Sequence, residues 1–103
     1  MDKKEVIDIA RKFANKVSEK YNVVNIILFG SYAKNNSHLD SDIDIAVILK
    51  DYDNLLNIQL ELMNLRRKID TRIEPHPIRE KDFVEDNPLV SEIIKFGEII
   101  NVA

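Results

Sequence analysis

The sequence contains no cysteine and no tryptophan, and its only histidines are His38 and His76. The absence of cysteine excludes disulfides, thiolate catalysis and cysteine-ligated zinc, and two histidines are too few for a histidine-rich metal site. No apolar run approaches the roughly 18 residues that cross a bilayer, so we expect no membrane span. The charged first residues lack the apolar core of a signal peptide, so we expect a cytoplasmic protein.

A surplus of positive charge is also missing. Lysine and arginine number 15 against 18 aspartates and glutamates, a net charge of −3. Neutralisation of phosphates supplies much of the affinity for nucleic acids, so direct nucleic-acid binding is not expected. Glycine is scarce as well, with only Gly30 and Gly97, whereas chains average about 7%. We therefore expect each glycine where another residue would be strained.

What is present indicates one soluble domain spanning residues 1–103, with 45% hydrophobic and 32% charged residues and no repeat or linker. Hydrophobic periodicity predicts the order α-β-loop-β-α-β-α-β. This is an α/β or α+β fold, a small mixed sheet with helices on one face. The predicted elements are helix Lys3–Lys20, strand Val23–Phe29, loop 34–41, strand Asp42–Leu49, a helix from Asp53 or Asn54 to about Lys68, strand Asp70–Glu74, helix Pro88–Lys95 and strand Gly97–Val102.

Two of these predictions depend on single features of the sequence. We expect Pro75 and Pro77 to stop the strand that ends at Glu74, because proline cannot donate to a sheet ladder. We expect the leucine-rich face at residues 55–65 to belong mostly to the core.

Asp42 and Asp44 are the first candidate site residues. Residues two apart on a strand share a face, about 6.5 to 7 Å apart at Cα. Carboxylates at this spacing beside the apolar strand that begins at Ile43 would repel each other, and a shared divalent cation removes the repulsion. Magnesium favours oxygen ligands and leaves room for substrate phosphates. Without a companion motif, the pair would be read as acids on a solvated strand edge.

The companion motif is Gly30-Ser31, which follows an apolar strand. Residues 31–34 can form a first helical turn whose N–H groups point at an anion, and glycine lets a phosphate approach closely. The Ser31 hydroxyl and the Lys34 ammonium can bind the same phosphate. Alone, this stretch would be a plain turn at a strand end.

A third carboxylate would complete a metal site, and Glu74 is the first candidate. It ends a predicted strand, and a neighbouring strand lies about 4.8 Å away, within reach of the aspartates. Asp70 is the rival, on the same face by even spacing. Arg72 lies between the two acids and can instead form a surface pair with either.

Gly30-Ser31, the ten residues 32–41 and then Asp42-Ile43-Asp44 resemble the signature of the DNA polymerase beta nucleotidyltransferase superfamily. The wider stretches Leu-Phe-Gly-Ser-Tyr-Ala-Lys and Ser-Asp-Ile-Asp-Ile-Ala-Val-Ile resemble the minimal nucleotidyltransferases (MNT), which are antitoxins encoded beside HEPN toxins. The likeness covers nearly the whole chain. The family usually has Ala-Arg-Gly where this chain has Ala33-Lys34-Asn35. Lysine keeps the charge without the bidentate fork of arginine, and asparagine tolerates a positive φ.

This resemblance implies a nucleotidyltransferase (polymerase beta-like) fold with its site at the strand ends. It implies that Asp42, Asp44 and Glu74 hold two Mg²⁺ ions, and that Gly30 and Ser31 bind the triphosphate of ATP. The implied activity is transfer of AMP to a tyrosine hydroxyl of a cognate HEPN RNase toxin, with release of pyrophosphate, in a hetero-oligomer. One of the acids, Glu74 first, could help to deprotonate the hydroxyl.

Other functions remain open at this point. The chain could neutralise its partner sterically as a non-catalytic binding module, or act on a small hydroxylated molecule or an RNA end. Among weaker candidates, His76 either lines the acceptor side or is structural, and His38 is a loop residue. Tyr32 either lies near the nucleotide or covers the turn, and residues 66–68 either touch an acidic partner or form a solvated helix end.

Overall fold

The computed structural model describes residues 2–37 and 41–101, so His38 and Val102 lie outside the described residues. The strands form one four-stranded mixed sheet in the order β3-β2-β1-β4, in which β1 is antiparallel to β2 and β4, and β2 is parallel to β3. The expected small mixed sheet backed by helices is confirmed. Its elements are α1 (Lys3–Lys20), β1 (Val23–Phe29), β2 (Ile43–Leu49), α2 (Leu55–Arg66), β3 (Ile73–Arg79), a 3-10 turn (Glu80–Asp82), α3 (Pro88–Phe96) and β4 (Glu98–Ile99).

Helix α1 follows the sequence pattern closely. The Asp2 side chain accepts a hydrogen bond from the Glu5 N–H at 2.9 Å and so caps the first turn. The residues that α1 buries recur at three- and four-residue steps, which places them on one helix face. This face packs against the sheet, and its buried residues are Val6, Ala10, Phe13, Ala14 and Val17.

The sheet is covered on both faces, which corrects the expectation of helices on one face only. Ile43 and Ile45 belong to the core cluster that contains the buried face of α1, whereas Ala46 packs with Val90 and Ile93 of α3 on the opposite face. Both faces of β2 are apolar beyond Asp44, and each face must be removed from water. Helix α3 therefore takes the face that α1 and α2 leave open.

Strand β3 runs from Ile73 to Arg79, so the prediction that Pro75 and Pro77 stop it is wrong. β3 is an edge strand, and its two prolines stand at alternate positions, where an N–H would point away from β2. The outward carbonyls at these positions are used by side chains. The Pro75 carbonyl accepts from Gln59 Nε2 at 3.0 Å and the Pro77 carbonyl from the Tyr52 hydroxyl at 3.4 Å.

Helix α2 has the predicted N-cap at Asn54, whose side chain accepts from the Asn57 N–H. Three of its leucines do not follow the prediction of a core face, because Leu55, Leu56 and Leu60 are 57%, 66% and 58% exposed. The helix buries Ile58 and Leu62, a narrow stripe that suffices for the contact with the sheet. The expected core face is therefore in part a solvent-exposed apolar surface.

The last predicted strand is shorter than expected, since β4 pairs with β1 only through Glu98 and Ile99. In the described ranges, no helix has both the length and the apolarity required to cross a membrane.

Candidate active site

Asp42 and Asp44 lie where β2 begins. Asp44 is the second residue of the strand and is half-buried, while Asp42 directly precedes the strand and is exposed. Asp44 faces the side of the sheet that α3 covers, because Ile43 and Ile45 on either side of it belong to the opposite core. The burial of β2 from Ile45 onward leaves the acids at its open end, as the sequence predicted.

Glu74 occupies the position of β3 that pairs with Asp44 in the parallel register. Paired residues on neighbouring strands point to the same face, so the two carboxylates share the α3 side of the sheet. Asp70 lies before β3, and its carboxylate pairs with the Arg72 guanidinium at 2.6 Å. Hydrogen bonds from this guanidinium hold the pKa of Asp70 below its ordinary value. The register thus places Glu74, and not Asp70, opposite Asp44.

Gly30 brings the backbone that follows β1 directly against the Asp44 carboxylate. Its φ is +76°, in the left-handed region that favours glycine, and a Cβ on Gly30 would lie 2.4 Å from Asp44 Oδ2. A side chain here would be strained by the backbone and would displace the carboxylate. This close approach joins the glycine-serine motif to the aspartate motif.

The chain turns tightly after Gly30. The Lys34 N–H donates to the Gly30 carbonyl at 3.1 Å, and the Asn36 N–H donates to the Ser31 carbonyl at 3.0 Å. Asn35 has a φ of 60°, which asparagine adopts more readily than most residues. The predicted helical turn therefore forms, with Asn35 in the left-handed region.

The side chains of two residues of this turn, Lys34 and Tyr32, contact other parts of the fold. Lys34 Nζ pairs with the Glu92 carboxylate of α3 and lies 4.9 Å from the centroid of the Phe96 ring. Tyr32 is only 2% exposed and belongs to the core shared with α1 and α2. Of the two alternatives for Tyr32, its burial fits a residue that packs beneath the turn. Lys34 would have to exchange Glu92 for a phosphate in order to bind one.

His76 is the functional candidate that the sequence analysis undervalued. Its Nε2 lies 3.1 Å from Asp44 Oδ1, and its ring meets the Phe29 ring edge-on at 4.9 Å between centroids. A signal for this position existed, because His76 stands two residues after Glu74 and shares its face if the strand continues. The prediction that Pro75 ends the strand concealed it.

The carboxylates do not form a finished metal cage. In the parts of the chain that are described, no three histidine, aspartate or glutamate side chains converge as metal ligands. Their chemistry nevertheless fits magnesium, which takes oxygen ligands and is commonly held by one or two carboxylates together with substrate phosphates. The arrangement can contribute carboxylate oxygens at one edge of the sheet and leaves the remaining ligand positions to a nucleotide.

A separate cleft of about 680 Å³ lies where α1 and α2 approach each other. The residues predicted for metal and nucleotide binding do not line it, and we assign it no part in the chemistry. Its lining residues are Lys16, Lys20, Glu61, Asn64, Leu65, Arg67, Lys68 and Ile69.

Comparison with known proteins identifies the family of the chain. A family model described as polymerase beta, nucleotidyltransferase matches residues 11–101. A Methanocaldococcus jannaschii protein provisionally named as a protein adenylyltransferase is 36% identical over 89 residues, which cover 80% of this chain and 91% of the relative.

Two solved complexes contain chains with a similar structure. A chain of a toxin–antitoxin complex crystallised with AMP-PNP has a TM-score of 0.64 and 25% identity, and the match covers 100% of this chain and 75% of that one. A chain from the complex of tri-AMPylated Shewanella oneidensis HEPN toxin with MNT antitoxin has the same fold, with a TM-score of 0.55 and 22% identity. This match covers 98% of the present chain and 70% of the other chain. The family match spans most of the sequence, and the chain belongs to the polymerase beta nucleotidyltransferase family.

Proposed function

We propose that this chain is an Mg²⁺-dependent protein adenylyltransferase that transfers AMP from ATP to a tyrosine hydroxyl of a HEPN RNase toxin and thereby acts as an antitoxin. The observation that carries the proposal is the approach of Gly30 to Asp44, where the missing Cβ would meet Oδ2 at 2.4 Å. Phosphates bound at the turn would lie beside the carboxylates that would hold magnesium, and this ion would neutralise the phosphate charge.

Asp42, Asp44 and Glu74 would hold the metal. When bound, magnesium neutralises phosphate charge and polarises the α-phosphorus toward attack. The register pairing of Asp44 with Glu74 and the oxygen-only donor set support this assignment. Asp70 is a poorer candidate, because Arg72 already engages its carboxylate.

Gly30, Ser31 and Lys34 would bind the triphosphate. A backbone without a side chain at Gly30 admits a phosphate oxygen, and the Ser31 hydroxyl can donate a hydrogen bond to it. The Lys34–Glu92 pair is partly exposed, with 32% and 36% of the side chains accessible, so exchange of Glu92 for a phosphate costs little.

The reaction is one substitution at phosphorus. The acceptor hydroxyl oxygen forms a bond to the α-phosphorus, and the bond from this phosphorus to the bridging oxygen of the β-phosphate breaks. Pyrophosphate leaves with the electron pair of that bond, and a site carboxylate, most simply that of Glu74, takes the hydroxyl proton. Glu74 is exposed, so a partner's side chain can reach it.

A protein acceptor is supported by the relatives. The Methanocaldococcus jannaschii relative carries the name of a protein adenylyltransferase, and the similar structures come from toxin–antitoxin complexes, one with AMP-PNP and one with a tri-AMPylated HEPN toxin. The partner would supply the tyrosine, and the two proteins would form a hetero-oligomer.

Labelled ATP tests the proposal. The chain is incubated with Mg²⁺, ATP labelled at the α-phosphate and the HEPN protein encoded beside it, and transfer is followed by gel and by mass spectrometry of the partner. We expect label on a partner tyrosine, and none with Asp42→Asn/Asp44→Asn. Absence of transfer by the wild-type chain, under conditions in which related pairs react, would refute the proposal.

A second function is favoured by the apolar surface of α2. The exposed leucines Leu55, Leu56 and Leu60 could bind a partner and neutralise it without chemistry. The double aspartate variant distinguishes the two functions in a toxicity assay. Full neutralisation by folded Asp42→Asn/Asp44→Asn would favour the binding module, whereas loss of neutralisation with retained binding would favour the enzyme.

A further inference from the structure

His76 makes the contact that fixes the orientation of Asp44. Its Nε2 and Asp44 Oδ1 are 3.1 Å apart, and both side chains are about three-quarters buried, with 28% and 26% of their surfaces accessible. We infer that His76 is a positioning residue, which donates its Nε2–H to Asp44 Oδ1 and so turns Oδ2 toward the Gly30-Ser31 turn. This inference rests on the proposed function, in which Asp44 is a magnesium ligand.

The His76 ring reaches along the sheet toward Asp44. In the β2–β3 register His76 pairs with Ala46, not with Asp44, so its ring must lean along the sheet to reach the carboxylate. Ala46 is completely buried, whereas Asp44 lies at the open end of β2, so the ring leans toward that end of the strand.

Phe29 fixes the other side of the ring. The two rings meet edge-on, with an interplanar angle of 64° and 4.9 Å between centroids. Phe29 itself pairs with Asp44 across β1 and β2. The imidazole is therefore held between a buried aromatic ring and the carboxylate, which limits the rotamers that it can adopt.

The two oxygens of Asp44 consequently have different surroundings. Oδ1 faces His76 at 3.1 Å, and Oδ2 faces the space that a Gly30 Cβ would occupy. An outer hydrogen bond to a metal-binding side chain fixes its orientation, and loss of such a bond typically weakens metal binding by about 10- to 100-fold. His76 would thus direct Oδ2 to the place where the triphosphate and its metal bind.

The hydrogen bond can be measured in the free protein by nitrogen-15 NMR. The chain has two histidines, so His38→Gln leaves the His76 ring as the only imidazole signal. At alkaline pH we expect the tautomer protonated at Nε2, and we expect Asp44→Ala to shift its resonances while Asp42→Ala does not. A ring protonated at Nδ1, or one that is unaffected by Asp44→Ala, would overturn the inference whether or not the protein binds metal.

Metal affinity tests the consequence. Binding of Mn²⁺ with AMP-PNP is followed by electron paramagnetic resonance for the wild type, His76→Leu and His76→Gln, after circular dichroism has confirmed their fold. We expect roughly a tenfold or greater loss of affinity in His76→Leu and substantial recovery in His76→Gln, whose amide can still donate. Equal affinity in all three would overturn the positioning role and leave the proposed function standing. Failure of the wild type to bind Mn²⁺ would refute the metal assignment itself.

Discussion

Asp44 and Glu74 are paired across the parallel strands β2 and β3, although they are far apart in the sequence. The pairing places an acid from each strand on the face that α3 covers, and the Gly30 backbone approaches the Asp44 carboxylate. Asp42 lies two residues before Asp44, directly before the strand begins, and is exposed. One edge of the sheet therefore carries the three acids that we propose as metal ligands and the turn that we propose as the nucleotide site.

Substitution of Glu74 gives the most direct test of the third carboxylate. Glu74→Gln keeps the size of the side chain and removes its charge and its ability to accept a proton. If Glu74 binds metal or takes the hydroxyl proton, we expect the rate of AMP transfer to fall roughly 100-fold or more, with little change in stability because the side chain is exposed. Single-turnover transfer of labelled AMP to the partner measures this rate.

Asp70→Asn is the matched control for this experiment. It removes an acid of similar sequence position whose carboxylate is bound by Arg72. We expect transfer to continue at close to the wild-type rate. Loss of transfer in Asp70→Asn together with normal transfer in Glu74→Gln would exchange the roles of the two acids.

The edge strand shows where sequence reasoning reached its limit. Apolar periodicity predicted α1, β1 and β2 closely, because their patterns are local and their core contacts enforce them. Pro75 and Pro77 would end a strand that pairs on both sides, because proline lacks the N–H that the second ladder needs. They do not end a strand at the edge of a sheet. Whether a strand lies at an edge depends on the order of the whole sheet, which local sequence does not show.

Part of the candidate site could likewise be predicted from the sequence, and part of it could not. The spacing of Gly30 and Asp44 identified residues that the structure brings into close approach. The contact of His76 with Asp44 depends on the β2–β3 register, which is a non-local feature of the fold. The exposure of Leu56 likewise depends on how α2 rotates against the sheet, and its composition alone predicted a core face.

Gly30→Ala tests whether the close approach of Gly30 to Asp44 is needed for nucleotide binding as well as for stability. The left-handed backbone and the contact with Asp44 Oδ2 predict a loss of about 1–3 kcal/mol in unfolding free energy and a displaced carboxylate. We expect binding of AMP-PNP with Mn²⁺ to fall as well. Chemical denaturation and calorimetric titration measure the two effects.

Gly97→Ala provides a control with a comparable steric conflict elsewhere. Its Cβ would lie 2.3 Å from the Ile93 carbonyl oxygen and 2.5 Å from Ile27 Cγ2, at the junction of α3 and β4. We expect it to destabilise the fold while the folded fraction binds nucleotide normally. If both alanine variants reduce nucleotide binding equally per folded molecule, the special role of Gly30 is wrong.

The Asp70–Arg72 ion pair should make the free energy of unfolding depend on pH in the acid range. The guanidinium lowers the pKa of Asp70 in the folded state, so the stabilisation is present above the unfolded pKa of about 3.9 and is lost as the pH falls through the lower folded value. We expect Asp70→Asn to cost about 1 kcal/mol at neutral pH, with the difference from wild type narrowing in strong acid. Urea denaturation from neutral to acidic pH measures this difference, and a constant gap would show that the ion pair is not its source.

Tyr21 should make the free energy of unfolding fall as the pH rises in the alkaline range, the opposite direction to Asp70. Burial, with the charge of the nearby Glu61 adding to it, raises the pKa of Tyr21 to about 12. The unfolded chain releases this proton near pH 10, so stability is complete below that value and falls as the pH rises toward the folded pKa. The hydroxyl is buried with no close hydrogen-bond partner in the described part of the chain, so Tyr21→Phe removes a desolvated polar group and gives up only its longer interaction with Glu61. We expect the variant to equal or exceed the wild type by up to about 1 kcal/mol at neutral pH, and its advantage to grow between about pH 10 and pH 12. Urea denaturation of the two proteins at both pH values checks this. A parallel loss of stability in both would assign the alkaline transition to other groups, since phenylalanine has no proton to lose.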